Sequence, residues 1–391
     1  MAWSEGQTLS ARFRYAVETS RDLHRHWRLG RSYSGFAQAT NSKSAEVLEG
    51  IKNRFREEMA SSLRTFRNRD GFCVLAVDGS RVECAHTLAN EDGLGCAGRD
   101  KTAPQVFVTT LWHAGFALPW DFHTGPGTDS ERCHLDQMLD GLPEKTFLLA
   151  DAGFVSFGLC HALQQQGHSF LLRVGSNVHL LTDLEYEYEQ RDDIVYLWPR
   201  KQRRLPPLKL RLIRLPDEKG QTVCLLTDIL DTQRLPDKQA QRLYALRWGV
   251  EVFYRSSKQT LQRRRLLSRT PQTCLAEAAW GLVGIWLLGL MTVRQQMRRG
   301  LEPRNWSVAN ARDAVRYAMR NSGRLGTKPA SFLAALVAAT KDNYVRQRPK
   351  RARNYPRKKR EKPPGPPNIK PATAQEQKRA KRLQSKTTAV M

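Results

Sequence analysis

Two aspartates in this chain each follow a short apolar run: Asp78 comes after Phe72-Cys-Val-Leu-Ala-Val77, and Asp151 after Thr146-Phe-Leu-Leu-Ala150. Such runs, closed by Gly, Ser and Asp, read as buried strands ending in turns. Asp ends many strands only because turns favour it, so neither residue by itself indicates chemistry. A third acid adds weight. Glu251 lies in a segment of helical pattern with Tyr244, Arg247 and Lys258. At about 100° per residue these four fall within an arc of roughly 60°. Arg255 and Gln262 share that face, and Leu246, Val250, Phe253 and Leu261 form a neighbouring apolar arc that can pack on a sheet. A salt-bridged surface stripe is the ordinary reading of charges at this spacing. Such a stripe does not require Tyr244, Trp248 and Gly249 in its midst. Three carboxylates can hold two divalent ions about 3.5–4 Å apart, an arrangement suited to phosphodiester chemistry. Oxygen donors favour Mg²⁺ or Mn²⁺, and neighbouring Arg and Lys can hold phosphates.

The elements that must position these acids follow from the pattern around them. Residues 105–112 and 116–122 flank His113-Ala-Gly115 as a hairpin. Thr128 and Glu131 have capping-box spacing for a helix running to about 141. A helix over about 154–166, stopped by Gly167, leads to a strand at Ser169–Val174. Residues 175–238 hold short alternating runs between Pro, Gly and charged turns, which predicts a β-rich insertion. Helix returns at about 238–262 and through the apolar 275–296, then at 306–321 and 329–341. Residues 1–70 are helical in pattern, and the stretch from Tyr33 to Ile51 accommodates either a helix-turn-helix or a plain helix packing on the core.

The chain has 391 residues and carries 64 Lys and Arg against 38 Asp and Glu, a net charge of +26. That excess points to a polyanionic partner, nucleic acid or an anionic membrane surface. The last 51 residues hold 17 Lys or Arg and 3 acids, with clustered prolines and few apolar side chains. They are expected to be a disordered basic tail, acting either as a solvated extension or in non-specific DNA contact. Seven cysteines with no CxxC pair exclude a zinc ribbon and a disulfide framework, and suit a reducing cytoplasm. The opening residues Met1-Ala-Trp-Ser-Glu5 lack the basic-then-apolar pattern expected of a signal peptide. The apolar run 278–293 is short of the ~20 residues a span needs and reads as a core helix. The nine histidines fit no metal-ligand spacing, and His24 and His26 read as DNA-facing or solvated. Gly93, Gly95 and Gly98 form no phosphate loop, so no nucleotide cofactor is expected.

Tyr244-(2)-Arg247-(3)-Glu251-(6)-Lys258 resembles the YREK signature of the IS-four family of insertion-sequence transposases in all four residue types and all three spacings. Val77-Asp78-Gly79-Ser80 and Leu149-Ala-Asp151-Ala-Gly153 are similar to that family's first and second acid motifs. Ala152 stands where relatives often carry Arg. The resemblance spans about residues 72–295. It implies an α/β, ribonuclease-H-like mixed sheet flanked by helices, with Asp78, Asp151 and Glu251 as catalytic metal ligands for two Mg²⁺ or Mn²⁺ ions. It further implies that Tyr244, Arg247 and Lys258 contact phosphates at transposon ends; Arg255 joins them on the same face. Trp198 is a candidate stacking platform for a flipped base, or a core residue of the insertion. The expected function is cut-and-paste transposition by a cytoplasmic, nucleoid-associated bacterial protein. Its expected partners are terminal inverted repeats, target DNA and a second copy in a synaptic dimer, without membrane. The rivals are an inactive DNA-binding relative, a ribonuclease-H-like nuclease without strand transfer, and a membrane-associated basic protein.

Overall fold

The computed structural model describes residues 1–24, 26–30, 32–62, 68–97, 103–184, 191–216, 222–262, 264–322, 329–342 and 365–388. In chain order the elements begin with α1 (Leu9–Leu23), α2 (Tyr33–Ser62), β1 (Cys73–Glu83), α3 (Leu88–Leu94), β2 (Gln105–His113), β3 (Leu118–Pro126) and α4 (Glu131–Asp136). Next come β4 (Thr146–Ala150), α5 (Phe157–Gln165), β5 (Ser169–Val174), β6 (His179–Thr182), β7 (Ile194–Leu197), β8 (Leu208–Pro216) and β9 (Thr222–Thr227). The series ends with α6 (Asp237–Ala245), α7 (Trp248–Arg255), α8 (Pro271–Met297), α9 (Val308–Arg320), α10 (Pro329–Ala338), β10 (Asn368–Pro371) and α11 (Ala374–Thr388). The chain divides into two compact units, Met1–Thr146 with Ala245–Lys341, and Phe147–Tyr244 with Asp342–Met391.

In the first unit β1, β2 and β3 form an antiparallel meander. The expected hairpin at His113-Ala-Gly115 is present. The expected turn at Asp78-Gly79-Ser80 is not: β1 runs on to Glu83, and Asp78 pairs with Thr110 in mid-strand. Nine residues of β2 pair along this stretch, and that ladder overrides the local turn preference of Asp and Gly. Helix α8 is the core of the unit. Thr270 and Thr273 cap it reciprocally, Pro271 occupies its first turn, and Trp286 is fully buried. By length and composition this helix passes for a membrane span, yet 67% of its apolar window is buried within the protein.

Residues 33–62 form one continuous 30-residue helix, so the helix-turn-helix alternative fails and the packing helix is what is found. No Gly or Pro interrupts Asn41–Ser44, where a turn would have to fall. Helix α2 lies on α8, with Trp280 Nε1 donating to Ser44 Oγ at 2.9 Å. It is pinned to β3 by Lys52 and Arg56, whose side chains reach the nearly buried Asp121 at 2.6 and 2.8 Å.

The second unit is a mixed sheet of described strands in the order β10-β6-β7-β8-β9-β5-β4. The β4–β5 and β6–β10 pairs are parallel and the rest antiparallel. The β-rich segment predicted for 175–238 is therefore an antiparallel extension of the strands before it. Arg211, 1% exposed, ion-pairs with Asp237 and donates to the Leu235 carbonyl at 2.8 Å, tying β8 to the start of α6. The expectation of a wholly disordered tail needs correcting. Residues 343–364 lie outside the described residues, but β10 extends the sheet edge and α11 packs behind it, burying Ala380.

Candidate active site

Each acid owes its position to a different local cause. Asp78 sits in the middle of β1, partly buried, and its Oδ1 accepts the N–H of Gly79 at 2.9 Å. Glu251 occupies the first turn of α7, where the helix dipole favours a carboxylate. Asp151, in the other unit, directly follows β4. It caps the 3-10 turn Ala152–Phe154, with Oδ1 accepting the Ala152 N–H at 2.9 Å.

The helix carrying the basic and phenolic residues is not the uninterrupted one expected over 238–262. It breaks at Leu246 and Arg247 between α6 and α7, and at Ser256–Thr260 it widens into a π-turn. Such π segments often accompany functional residues because they re-aim side chains. Here Lys258 reaches back to β1, its Nζ donating to Ser80 Oγ and the Arg81 carbonyl, both at 2.7 Å. Arg247 donates to Glu251 Oε1 at 2.8 Å. Tyr244 lies in the second unit, and its hydroxyl donates to the Ala150 carbonyl at 3.4 Å, beside Asp151.

Within the first unit Asp78, Glu251, Lys258 and Arg255 line one open cleft of about 510 Å³. Burial pushes the Asp78 carboxyl up to about 6. The Arg247 guanidinium and the Gly79 N–H oppose that rise, while Glu251 and Glu131 add to it. A carboxylate raised in this way is one that a cation would relieve. The oxygen donors of Asp78 and Glu251 suit Mg²⁺ or Mn²⁺. Among the described residues no three His, Cys, Asp or Glu side chains are gathered as a metal-holding group.

Three residues contribute in ways that the sequence pattern does not show. Tyr254 is buried at the back of α7. Its hydroxyl lies 2.9 Å from the Asp78 carbonyl, 3.1 Å from the Val108 carbonyl and 3.0 Å from Thr110 Oγ1. It joins α7 to β1 and β2 directly beneath Asp78, and its spacing of three from Glu251 was the available signal. Gly249 has no room for a side chain, since a Cβ there would stand 2.6 Å from Trp112 Nε1. Glu131 was expected to serve a capping box with Thr128, but Ser130 caps α4 and the Glu131 carboxylate lies against Gly79.

Trp198 is corrected by the structure. It is 3% exposed, its Nε1 donates to the Leu205 carbonyl at 2.8 Å, and Arg203 lies over its ring. It is a core residue of the β-rich segment, with no face open for stacking. Near the site, Trp248 is 53% exposed, with Arg255 5.9 Å over its ring.

Comparison with known proteins bears on this arrangement. Residues 69–286, which hold Asp78, Asp151 and Glu251, match the family model described as a transposase DDE domain. The chain belongs to the transposase DDE domain family. It is also 30% identical over 241 residues to transposase InsG for insertion sequence element IS4 of Escherichia coli (strain K12). That alignment takes in 58% of this chain and 52% of the relative, so the chain spans about half the length of the transposase it matches. Among solved structures, a piggyBac transposase synaptic complex with hairpin DNA aligns with a TM-score of 0.41 and 11% identity. That alignment covers 69% of this chain and 58% of the piggyBac chain.

Proposed function

We propose that this DDE family member is a DNA transposase that cuts transposon ends and joins them to target DNA, using Asp78, Asp151 and Glu251. The observation that carries the reading is the first unit's cleft. Two of the three acids face it, and Lys258 and Arg255 stand on the same wall. Asp78, Glu251 and Asp151 would hold divalent ions, and their oxygen donors suit Mg²⁺ or Mn²⁺. Once bound, such ions lend Lewis acidity to the attacking and leaving oxygens.

The chain's own residues do the remaining work. Lys258 and Arg255 hold the phosphates of an end against the cleft wall. Arg247, which pairs with Glu251 at 2.8 Å, exchanges that partner for a DNA phosphate when the site is filled. Tyr254 fixes the backbone of Asp78 so that its carboxylate holds one position. Tyr244 steadies the β4 end beside Asp151 and contacts an end phosphate. The core around these residues is ribonuclease-H-like in this proposal, and the protein acts as a dimer on paired terminal inverted repeats. Its place is the cytoplasm, on chromosomal DNA.

The test is a DNA fragment bearing the sequences that flank the gene, incubated with purified protein and Mg²⁺ or Mn²⁺. Excision with joined products is expected, and Glu251→Gln should abolish both while leaving DNA binding nearly intact. Cut ends that never join would replace the proposal with a simple nuclease. Binding without any cut by the wild type would make the chain an inactive relative.

A further inference from the structure

The C-terminal segment after residue 365 is built into the second unit, and how it is built selects what it presents to solvent. Strand β10 pairs in parallel with the edge strand β6, from Asn368 opposite His179 to Pro371 opposite Thr182. The Ala372 N–H donates to the Thr182 carbonyl at 2.9 Å, and Gln377 Nε2 donates to the Asp183 carbonyl at 2.8 Å. Helix α11 then turns onto the 3-10 turn at Arg200–Gln202. Glu376 ion-pairs with Arg203, and Arg379 Nε donates to the Arg203 carbonyl at 3.0 Å.

These contacts orient the helix. Glu376, Gln377, Ala380 and Leu383 fall within an arc of roughly 120° at 100° per residue, and that arc is the seated one. Ala380 is fully buried in it. Lys378, Lys381 and Arg382 occupy the opposite arc, and all three are exposed. Beside them Arg200, Lys201 and Arg204 are exposed on the turn that Arg379 touches. The acid on this side of α11, Glu376, is already engaged by Arg203 and by the Thr373 N–H. Six exposed cations therefore lie on α11 and the turn it touches, and the α11 carboxylate of Glu376 is engaged internally.

We propose that this surface, formed by α11 and the turn at Arg200–Arg204, is a binding face for the phosphate backbone of duplex DNA. It rests on the transposase reading and adds a location to it. The long, flexible side chains of Lys and Arg suit sequence-independent phosphate contact, which positions a duplex without reading bases. Strand addition by β10 gives the helix a fixed seat, so the charges act as an array in place of a loose tail. Covering β6 also blunts an open sheet edge.

The experiment measures binding of the full chain to duplex DNA of unrelated sequence across a salt series. Neutralising Lys201, Arg204, Lys378 and Arg382 to Gln spares Arg203, Glu376, Gln377 and Arg379, which seat the helix. It should lower the slope of log affinity against log salt by about 3–4, since each phosphate contact contributes about 0.9. A second variant, Ala380→Arg, adds a positive charge but cannot keep the helix seated. It should bind more weakly than wild type and expose the C-terminal segment to protease. An unchanged slope in the four-site variant overturns the proposal while leaving the DDE site untouched. Equal or tighter binding by Ala380→Arg also overturns it, since charge count alone would then govern. Wild-type protein that binds no duplex at all removes both this surface and the transposase reading.

Discussion

Asp78→Asn isolates the energetic state of the cleft. The partly buried carboxyl of Asp78 is held up to about 6, against an ordinary 3.8. The folded protein thus keeps this proton over a pH interval in which the unfolded chain has lost it. Ionising Asp78 costs folding free energy as pH rises through that interval, and the full cost is present above about pH 6. The gap corresponds to about 3 kcal/mol at most, and water in the open cleft reduces it to about 1–3 kcal/mol. Asn keeps an oxygen to accept the Gly79 N–H and has no charge to bury. The substitution should therefore stabilise the metal-free protein at pH 8. For a unit of about 240 residues the gain in melting temperature should be roughly 2–12 °C. The difference between variant and wild type should shrink as pH falls and vanish near pH 4. Adding Mg²⁺ or Mn²⁺ at pH 8 should raise the wild type toward the variant and leave the variant where it was. The assay is thermal unfolding of the full chain from pH 4 to 8, with and without metal. A variant no more stable than wild type at pH 8, or a gain that does not change with pH, refutes the reasoning that burial strains this carboxylate.

Tyr254→Phe removes a hydroxyl shared by the Asp78 carbonyl, the Val108 carbonyl and Thr110. The fold should lose about 1–3 kcal/mol in urea unfolding, and cleavage should fall further than the stability loss explains, because Asp78 is no longer fixed. Gly249→Ala brings a Cβ to 2.6 Å from the buried Trp112 ring. It should destabilise the first unit by about 1–3 kcal/mol, visible as a shifted tryptophan fluorescence midpoint; an unchanged midpoint would show that α7 moves freely away from β2.

Much of the candidate site was legible in the chain because its signals are local. The acid motifs each follow a run of apolar residues, and Tyr244, Arg247, Glu251 and Lys258 carry their spacing in sequence alone. The hairpin at His113, the strand at Ser169–Val174 and the buried helix through residues 278–293 needed no more than hydrophobic periodicity. The sequence left the helix-turn-helix alternative open at 33–51, and the continuous helix Tyr33–Ser62 decided against it. The charge excess and the basic C-terminal segment were plain from composition.

Other features depend on pairings between distant parts of the chain, which periodicity does not encode. Asp78 lies mid-strand because β2 supplies a ladder through Glu83, so a local turn signature lost to non-local hydrogen bonds. Tyr254 matters because its ring, apolar by pattern, places one oxygen under a carbonyl 176 residues earlier. Trp198 is closed to stacking because the carbonyl of Leu205 and the side chain of Arg203 fold over it. The C-terminal helix is ordered because an edge strand far upstream offered unpaired backbone groups. Its composition alone spoke for disorder, since few of its own side chains bury apolar surface. Residue type and local spacing thus determined which chemistry the chain carries, and tertiary pairing decided which of those groups are held, buried or presented.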